Sequence, residues 1–185
     1  MLIIERVRRL ILADIAACDF SFEITSEMTP PYEDSFRDVT AVAPYRKAYE
    51  FEADLFSREE NSDDRLIIVA RDPHQVRAYL CASRSWNNYA QIDDFAVDRS
   101  MRRSGVGRRL MDEAVGWART LELPGVRLET QSNNVAACRF YQRYGFRRGG
   151  FDRFLYSALG QERDEVALFW YLFLNANSSK QRAVG

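Results

Sequence analysis

Asp93-Asp94-Phe95-Ala96-Val97-Asp98-Arg99-Ser100-Met101-Arg102-Arg103-Ser104-Gly105-Val106-Gly107-Arg108-Arg109-Leu110-Met111 runs from an apolar-centred strand pattern, through a short basic turn, into a helix. Glycine lets a backbone approach a ligand closely and take dihedrals closed to other residues. The N–H groups at a helix start have no intrahelical partner, and the helix dipole favours an anion there. Five arginines, at 99, 102, 103, 108 and 109, crowd the turn. A polyanion therefore suits it better than a monoanion. The alternative is a solvated basic turn that only caps a helix. Two other phosphate motifs do not match. G-x-x-x-x-G-K-[ST] is absent, and G-x-G-x-x-G needs a third glycine where Leu110 stands.

The rest of the composition narrows the class. The chain has 185 residues, enough for one domain with a sizeable core. It is 46% hydrophobic and 29% charged, with net charge −1, so nothing general draws it to nucleic acid or a membrane. Cys18, Cys81 and Cys138 lack C-x-x-C spacing and His74 is the one histidine, which argues against a metal site or a disulfide framework. Buried thiols in a reducing cytoplasm are expected. The longest apolar run near the N-terminus is four residues, Leu10 to Ala13, too short for a signal or a membrane span.

Working outward, Arg65 to Arg71, Val76 to Arg84 and Tyr89 to Asp98 read as three strands of an antiparallel meander. Gly107 to Leu121 reads as a helix with Leu110, Met111, Ala114, Val115 and Ala118 on one face. Val126 to Thr130 is a strand, and Asn133 to Tyr144 is a helix stopped by Gly145. Phe151 to Ser157 and Val166 to Leu174 are further strands. Before the meander, Leu2 to Val7 reads as a strand, Arg9 to Ala17 as a weak helix and Phe20 to Ile24 as a strand. Thr29-Pro30-Pro31-Tyr32 is extended. From there to Asn61 an aromatic-rich loop is expected, with a helical turn near Phe51 to Phe56, either a lid or a packed connection. Residues 1–175 form one expected domain, and 176–185 a frayed polar tail. One mixed sheet with helices on its faces follows.

Arg102-x-x-Gly105-x-Gly107 after Phe95-Ala96-Val97, followed by Leu110-Met111, resembles the acetyl-CoA signature of the GCN5-related N-acetyltransferase (GNAT) family. Asn134-Val135-Ala136-Ala137-Cys138-Arg139-Phe140-Tyr141-Gln142-Arg143-Tyr144-Gly145-Phe146 resembles that family's N-x-x-A-x-x-x-Y-x-x-x-G-F helix. The family-like part covers about residues 65–174. Within the family, Cys18 to Glu23, Leu128 to Asn134, Gly149 to Asp152 and Ala167 to Tyr171 are similar to the streptothricin acetyltransferases. The resemblance implies an α/β (α+β) fold with a mixed, mostly antiparallel central sheet, helices on both faces, and strands splayed at the acetyl-CoA site. It implies that Arg102 belongs to the acetyl-CoA site and that N–H groups of Arg103, Ser104, Gly105, Val106, Gly107 and Arg108 hold the pyrophosphate. An N–H near Phe95, Ala96 and Val97 would bind the thioester oxygen, where one such donor typically supplies about 3 kcal/mol. Asn134 would bind the pantetheine arm, and Tyr141 would protonate the departing thiolate. The alternative for Tyr141 is a core aromatic.

The acceptor must attack as a neutral amine. An unperturbed lysine-like amine has a pKa near ~10.4, so deprotonation at neutral pH costs roughly 4–5 kcal/mol. A carboxylate, directly or through water, can take that proton and hold the incoming cation. Asp93 and Asp94 on the turn's strand and Glu129 on the next are candidates, with Asp152 behind them. Strand alternation sends Asp93 and Asp94 to opposite faces unless a bulge intervenes. Asp93 stands where many family members carry Glu, so it ranks first as base. Asp94, Glu129 and Asp152 are assigned to substrate binding, and an ion pair with arginine is the alternative for each. The expected enzyme transfers the acetyl group of acetyl-CoA to a small cationic amine, in the cytoplasm, with no metal, nucleic acid or membrane partner. A homodimer is left open. A protein or peptide acetyltransferase and a CoA-binding module without turnover are the other readings.

Overall fold

The computed structural model describes residues 2–32, 38–49, 63–157 and 165–174. In chain order the strands are β1 (Ile3–Arg6), β2 (Phe22–Met28), β3 (Val39–Lys47), β4 (Arg65–Arg71), β5 (Val76–Arg84), β6 (Ala90–Val97), β7 (Gly125–Gln131), β8 (Arg147–Asp152) and β9 (Ala167–Phe173). The helices are α1 (Leu12–Ile15), α2 (Val106–Thr120) and α3 (Val135–Tyr144). Two compact units result. One holds Met1–Phe22 and Lys47–Val126, the other Glu23–Arg46 and Arg127–Gly185. The helical turn expected near Phe51 and the tail 176–185 lie outside the described residues.

The first unit is an antiparallel sheet in the order β1-β4-β5-β6. Leu66 to Ala70 are all buried, because both faces of β4 are covered. Ile67, Val69, Tyr79 and Cys81 share one face, packed on Leu10 and Ile15 of the α1 segment. Alternation leaves Leu66, Ile68 and Leu80 for the opposite face, and α2 contacts β4 and β5. The helix supplies Leu110, Met111, Ala114, Val115 and Ala118, all buried. Each large side chain buried in this way stabilises by about 1.5–3 kcal/mol. Trp117 joins that face, and its indole N–H donates to the Asp63 carbonyl at 3.2 Å. Among the described residues, no helix is long and apolar enough to cross a membrane.

The second unit contains the β2–β3 ribbon, most of β7, α3, and β8 paired antiparallel with β9. Four elements differ from expectation. β3 occupies Val39–Lys47, where a loop is expected. Its burial does not alternate, and Pro44 cannot donate to a ladder, which a two-stranded ribbon tolerates. β8 spans Arg147–Asp152, not Phe151 to Ser157. Gly149 and Gly150 disguise it, yet they are what the strand needs. The register shifts between Arg148 and Gly150, and a Cβ on Gly149 would lie 2.5 Å from the Tyr171 ring. β2 starts and ends later than expected, at Phe22–Met28, and α1 is a single turn. The remaining boundaries agree within two residues.

Candidate active site

The turn between β6 and α2 is built for close approach. Gly105 is the N-cap of α2, with φ +86°, and Arg103 has φ +65°. Space is open around Gly105, with no heavy atom within 4 Å of an added Cβ. Arg103, Ser104, Gly105 and Arg108 are exposed, while Val106 is buried and Gly107 half-buried. The first-turn N–H groups of α2 have no intrahelical carbonyl to donate to. An exposed glycine turn, N–H groups and a positive helix end fit the pyrophosphate of acetyl-CoA.

The Arg102 guanidinium bonds to two backbone carbonyls. Its Nε donates to the Val97 carbonyl at 3.1 Å and its Nη2 to the Phe20 carbonyl at 2.8 Å. The guanidinium therefore staples the turn to the end of β6 and to the segment before β2. Buried Asp98 secures the same junction. Its Oδ2 accepts the Asp19 N–H at 2.8 Å, and its Oδ1 accepts the Ser100 N–H at 2.9 Å and the Ser100 hydroxyl. Burial opposes the Asp98 charge, yet the Ser100 and Asp19 donors, with Arg77, hold its carboxyl below the ordinary value. Arg99 N–H in turn reaches the Asp19 carbonyl at 2.8 Å. Replacing Arg102 with Met removes two charge-assisted bonds, so stability falls by roughly 1.5–3 kcal/mol. The unliganded protein is expected to melt at lower temperature, and an unchanged melting point contradicts the staple.

On β6 the ladder bulges at the carboxylates. Cys81 pairs with Asp94, and its neighbour Ala82 pairs with Ile92, which leaves Asp93 as the extra residue. This bulge is the exception to strand alternation, and it sets how the two acids face. The Ser83 hydroxyl donates to Asp93 Oδ1 at 2.9 Å, and the Tyr79 hydroxyl to Asp94 Oδ2 at 3.0 Å. Tyr79 and Ser83 are four residues apart on one strand, hence on one face. The bulge thus turns both acids toward the same side. Burial pushes the Asp93 carboxyl above its ordinary value, against the Ser83 bond and the Arg65 charge, and Asp94 adds to the rise. The Cys81 thiol beside them is pushed up by burial and then by the two carboxylates, so it is inert as a nucleophile. Phe20 stacks edge-on against Tyr79 at 5.4 Å, so the residue that receives Arg102 also packs the donor to Asp94. Phe95, Ala96 and Val97 are half-buried and complete the strand.

In the second unit, Asn134 is the N-cap of α3, its side chain accepting the Ala137 N–H at 3.1 Å. Tyr141 is buried among Phe140, Phe146 and Trp170, with ring centroids 5.5, 5.8 and 6.1 Å away. Gly145, at φ +118°, ends the helix and lets the Phe146 N–H return to the Tyr141 carbonyl at 3.0 Å. Glu129 alternates away from buried Leu128 and Thr130, and its carboxylate accepts the Tyr156 hydroxyl. Asp152 accepts the Phe154 N–H at 2.7 Å, shaping the turn after β8. One network escapes sequence reading. The Asn133 amide donates to Glu165 at 2.6 Å and to Tyr45 at 3.1 Å, and Tyr45 donates to Glu27 at 3.1 Å. Its members are far apart in the chain, so no local pattern marks them. The arginine-to-carbonyl staple carries no pattern either.

A glycine-capped helix N-terminus and a bulged carboxylate pair thus stand on the same unit. Residues 22–146 match the model of the acetyltransferase (GNAT) family. Streptothricin acetyltransferase A of Bacillus subtilis is 30% identical over 91% of this chain and 98% of its own length. Streptothricin acetyltransferase of Escherichia coli is 35% identical over 74% and 75%. A Bacillus anthracis crystal structure, assigned as a streptothricin acetyltransferase and solved with acetyl coenzyme A, is 36% identical, with a TM-score of 0.79 over 94% of this chain and all of that one. The chain belongs to the GNAT acetyltransferase family. It is an acetyl-CoA-dependent N-acetyltransferase of mixed α/β fold, with mostly antiparallel strands.

Proposed function

We propose that the enzyme acetylates streptothricin at its β-lysine amine, inactivating the antibiotic in the cytoplasm, with residues 1–175 acting as one catalytic domain. The paired carboxylates of the β6 bulge carry this reading, because a small polycation needs negative charge both to bind and to lose a proton. Its likeness to streptothricin acetyltransferases over nearly the whole chain supports it.

Acetyl-CoA supplies an electrophilic acetyl thioester and a thiol leaving group. The N–H groups of Arg103 to Arg108 hold the pyrophosphate, and Asn134 the pantetheine arm. A backbone N–H of Phe95 to Val97 donates to the thioester oxygen, where negative charge develops. Asp93 accepts the ammonium proton, directly or through one water. Its raised pKa makes it a stronger base than an ordinary aspartate. Asp94, fixed by Tyr79, and Glu129, in contact with Tyr156, hold the remaining positive charge of the acceptor, with Asp152 beside them in role. Tyr141 gives its hydroxyl proton to the departing sulfur, its ring held by three aromatic neighbours.

The test is acetyl-CoA-dependent thiol release across streptothricin, aminoglycosides, polyamines and peptides. Streptothricin is expected to give the highest kcat/KM. A higher value for peptides would replace this reading with a protein acetyltransferase.

A further inference from the structure

Tyr32 and Phe151 lie with ring centroids 5.1 Å apart and planes at 50°. The Arg153 guanidinium sits over both, 5.6 Å from the Tyr32 centroid and 5.3 Å from that of Phe151. Tyr32 is buried, yet its φ is +58°, a conformation that costs a bulky residue energy and persists only when its surroundings impose it. Such residues gather at ligand clamps. The charge of Glu27 reaches the Tyr32 hydroxyl, and the Tyr45 hydroxyl holds that carboxylate. Two rings and a nearby carboxylate make a cation cage. Phe151 and Arg153 are exposed, and Arg153 lies in the turn just beyond the end of β8. A solvated cation on the exposed side of such a pair is weakly held.

We propose that Tyr32 and Phe151 form a clamp for the guanidinium or ammonium group of a small cationic ligand, and that Arg153 fills the clamp until the ligand displaces it. The clamp selects a flat, weakly hydrated guanidinium over a compact ammonium.

The probe is agmatine, which joins a guanidinium to a primary amine, titrated calorimetrically into the CoA-loaded protein. Arg153→Gln is expected to tighten agmatine about threefold by removing the internal competitor, and Phe151→Leu to weaken it about fivefold. The double variant loses the Arg153→Gln gain, and CoA affinity stays at the wild-type value in all three. Phe151 is 43% exposed, so its replacement does not unsettle the core. The clamp is overturned if Arg153→Gln leaves agmatine binding unchanged or weaker, if Phe151→Leu has no effect, or if neither wild type nor Arg153→Gln binds agmatine. The readout does not require streptothricin turnover. Loss of streptothricin acetylation with intact agmatine responses refutes the assigned substrate, and the reverse refutes the clamp.

Discussion

Gly105→Val lowers acetyl-CoA affinity by roughly 100-fold or more, equivalent to about 2.7 kcal/mol. Two effects combine. The backbone at Gly105 has φ +86°, where a β-branched residue is an outlier, so the turn must rearrange. The added methyls also project into the open space above the turn, which the pyrophosphate needs. Asparagine tolerates the left-handed region, so Gly105→Asn separates the two causes. It is expected to keep the turn and lose less affinity than valine. Calorimetric titration with acetyl-CoA measures both, and unchanged affinity in Gly105→Val contradicts the phosphate cradle.

Asp93→Asn lowers turnover by about 10²–10⁴-fold, the range typical for a lost general base. The variant can still accept the Ser83 hydroxyl bond through its side-chain oxygen. Burial raises the Asp93 pKa, so its carboxylate is disfavoured in the folded protein. A group raised on folding contributes stability below its unfolded pKa and loses that contribution as pH rises through the folded value. Ionisation of Asp93 therefore lowers stability, and Asp93→Asn is expected to melt at the wild-type temperature or above while losing activity. The kcat/KM of wild type falls on acidification earlier than an ordinary carboxylate would dictate. That limb disappears in Asp93→Asn. A variant that keeps wild-type turnover, or melts well below wild type, shows Asp93 to be structural instead.

The strands and helices that build these positions were readable wherever burial follows one period. β4 is dense in Ile, Val and Leu, β5 has an unbroken apolar run from Ala78 to Ala82 between two turns, and α2 keeps one apolar face, so their limits match expectation within one residue. β8 was hidden because its two glycines usually mark turns, whereas here Gly149 makes room for the Tyr171 ring. β3 was hidden because a two-stranded ribbon half-exposed along its length has no alternating signal. The glycine turn was legible, since its chemistry is local. The direction of Arg102 was not, because its acceptors are backbone carbonyls, one of them 82 residues away. The facing of Asp93 and Asp94 turned on one inserted residue, which alternation alone cannot reveal.

The most direct test of the assigned reaction is tandem mass spectrometry of streptothricin after incubation with enzyme and acetyl-CoA. One acetyl group on the β-lysine amine, formed in step with thiol release, is the predicted product. An acetyl group elsewhere on the molecule, or thiol release that leaves streptothricin unmodified, would contradict it.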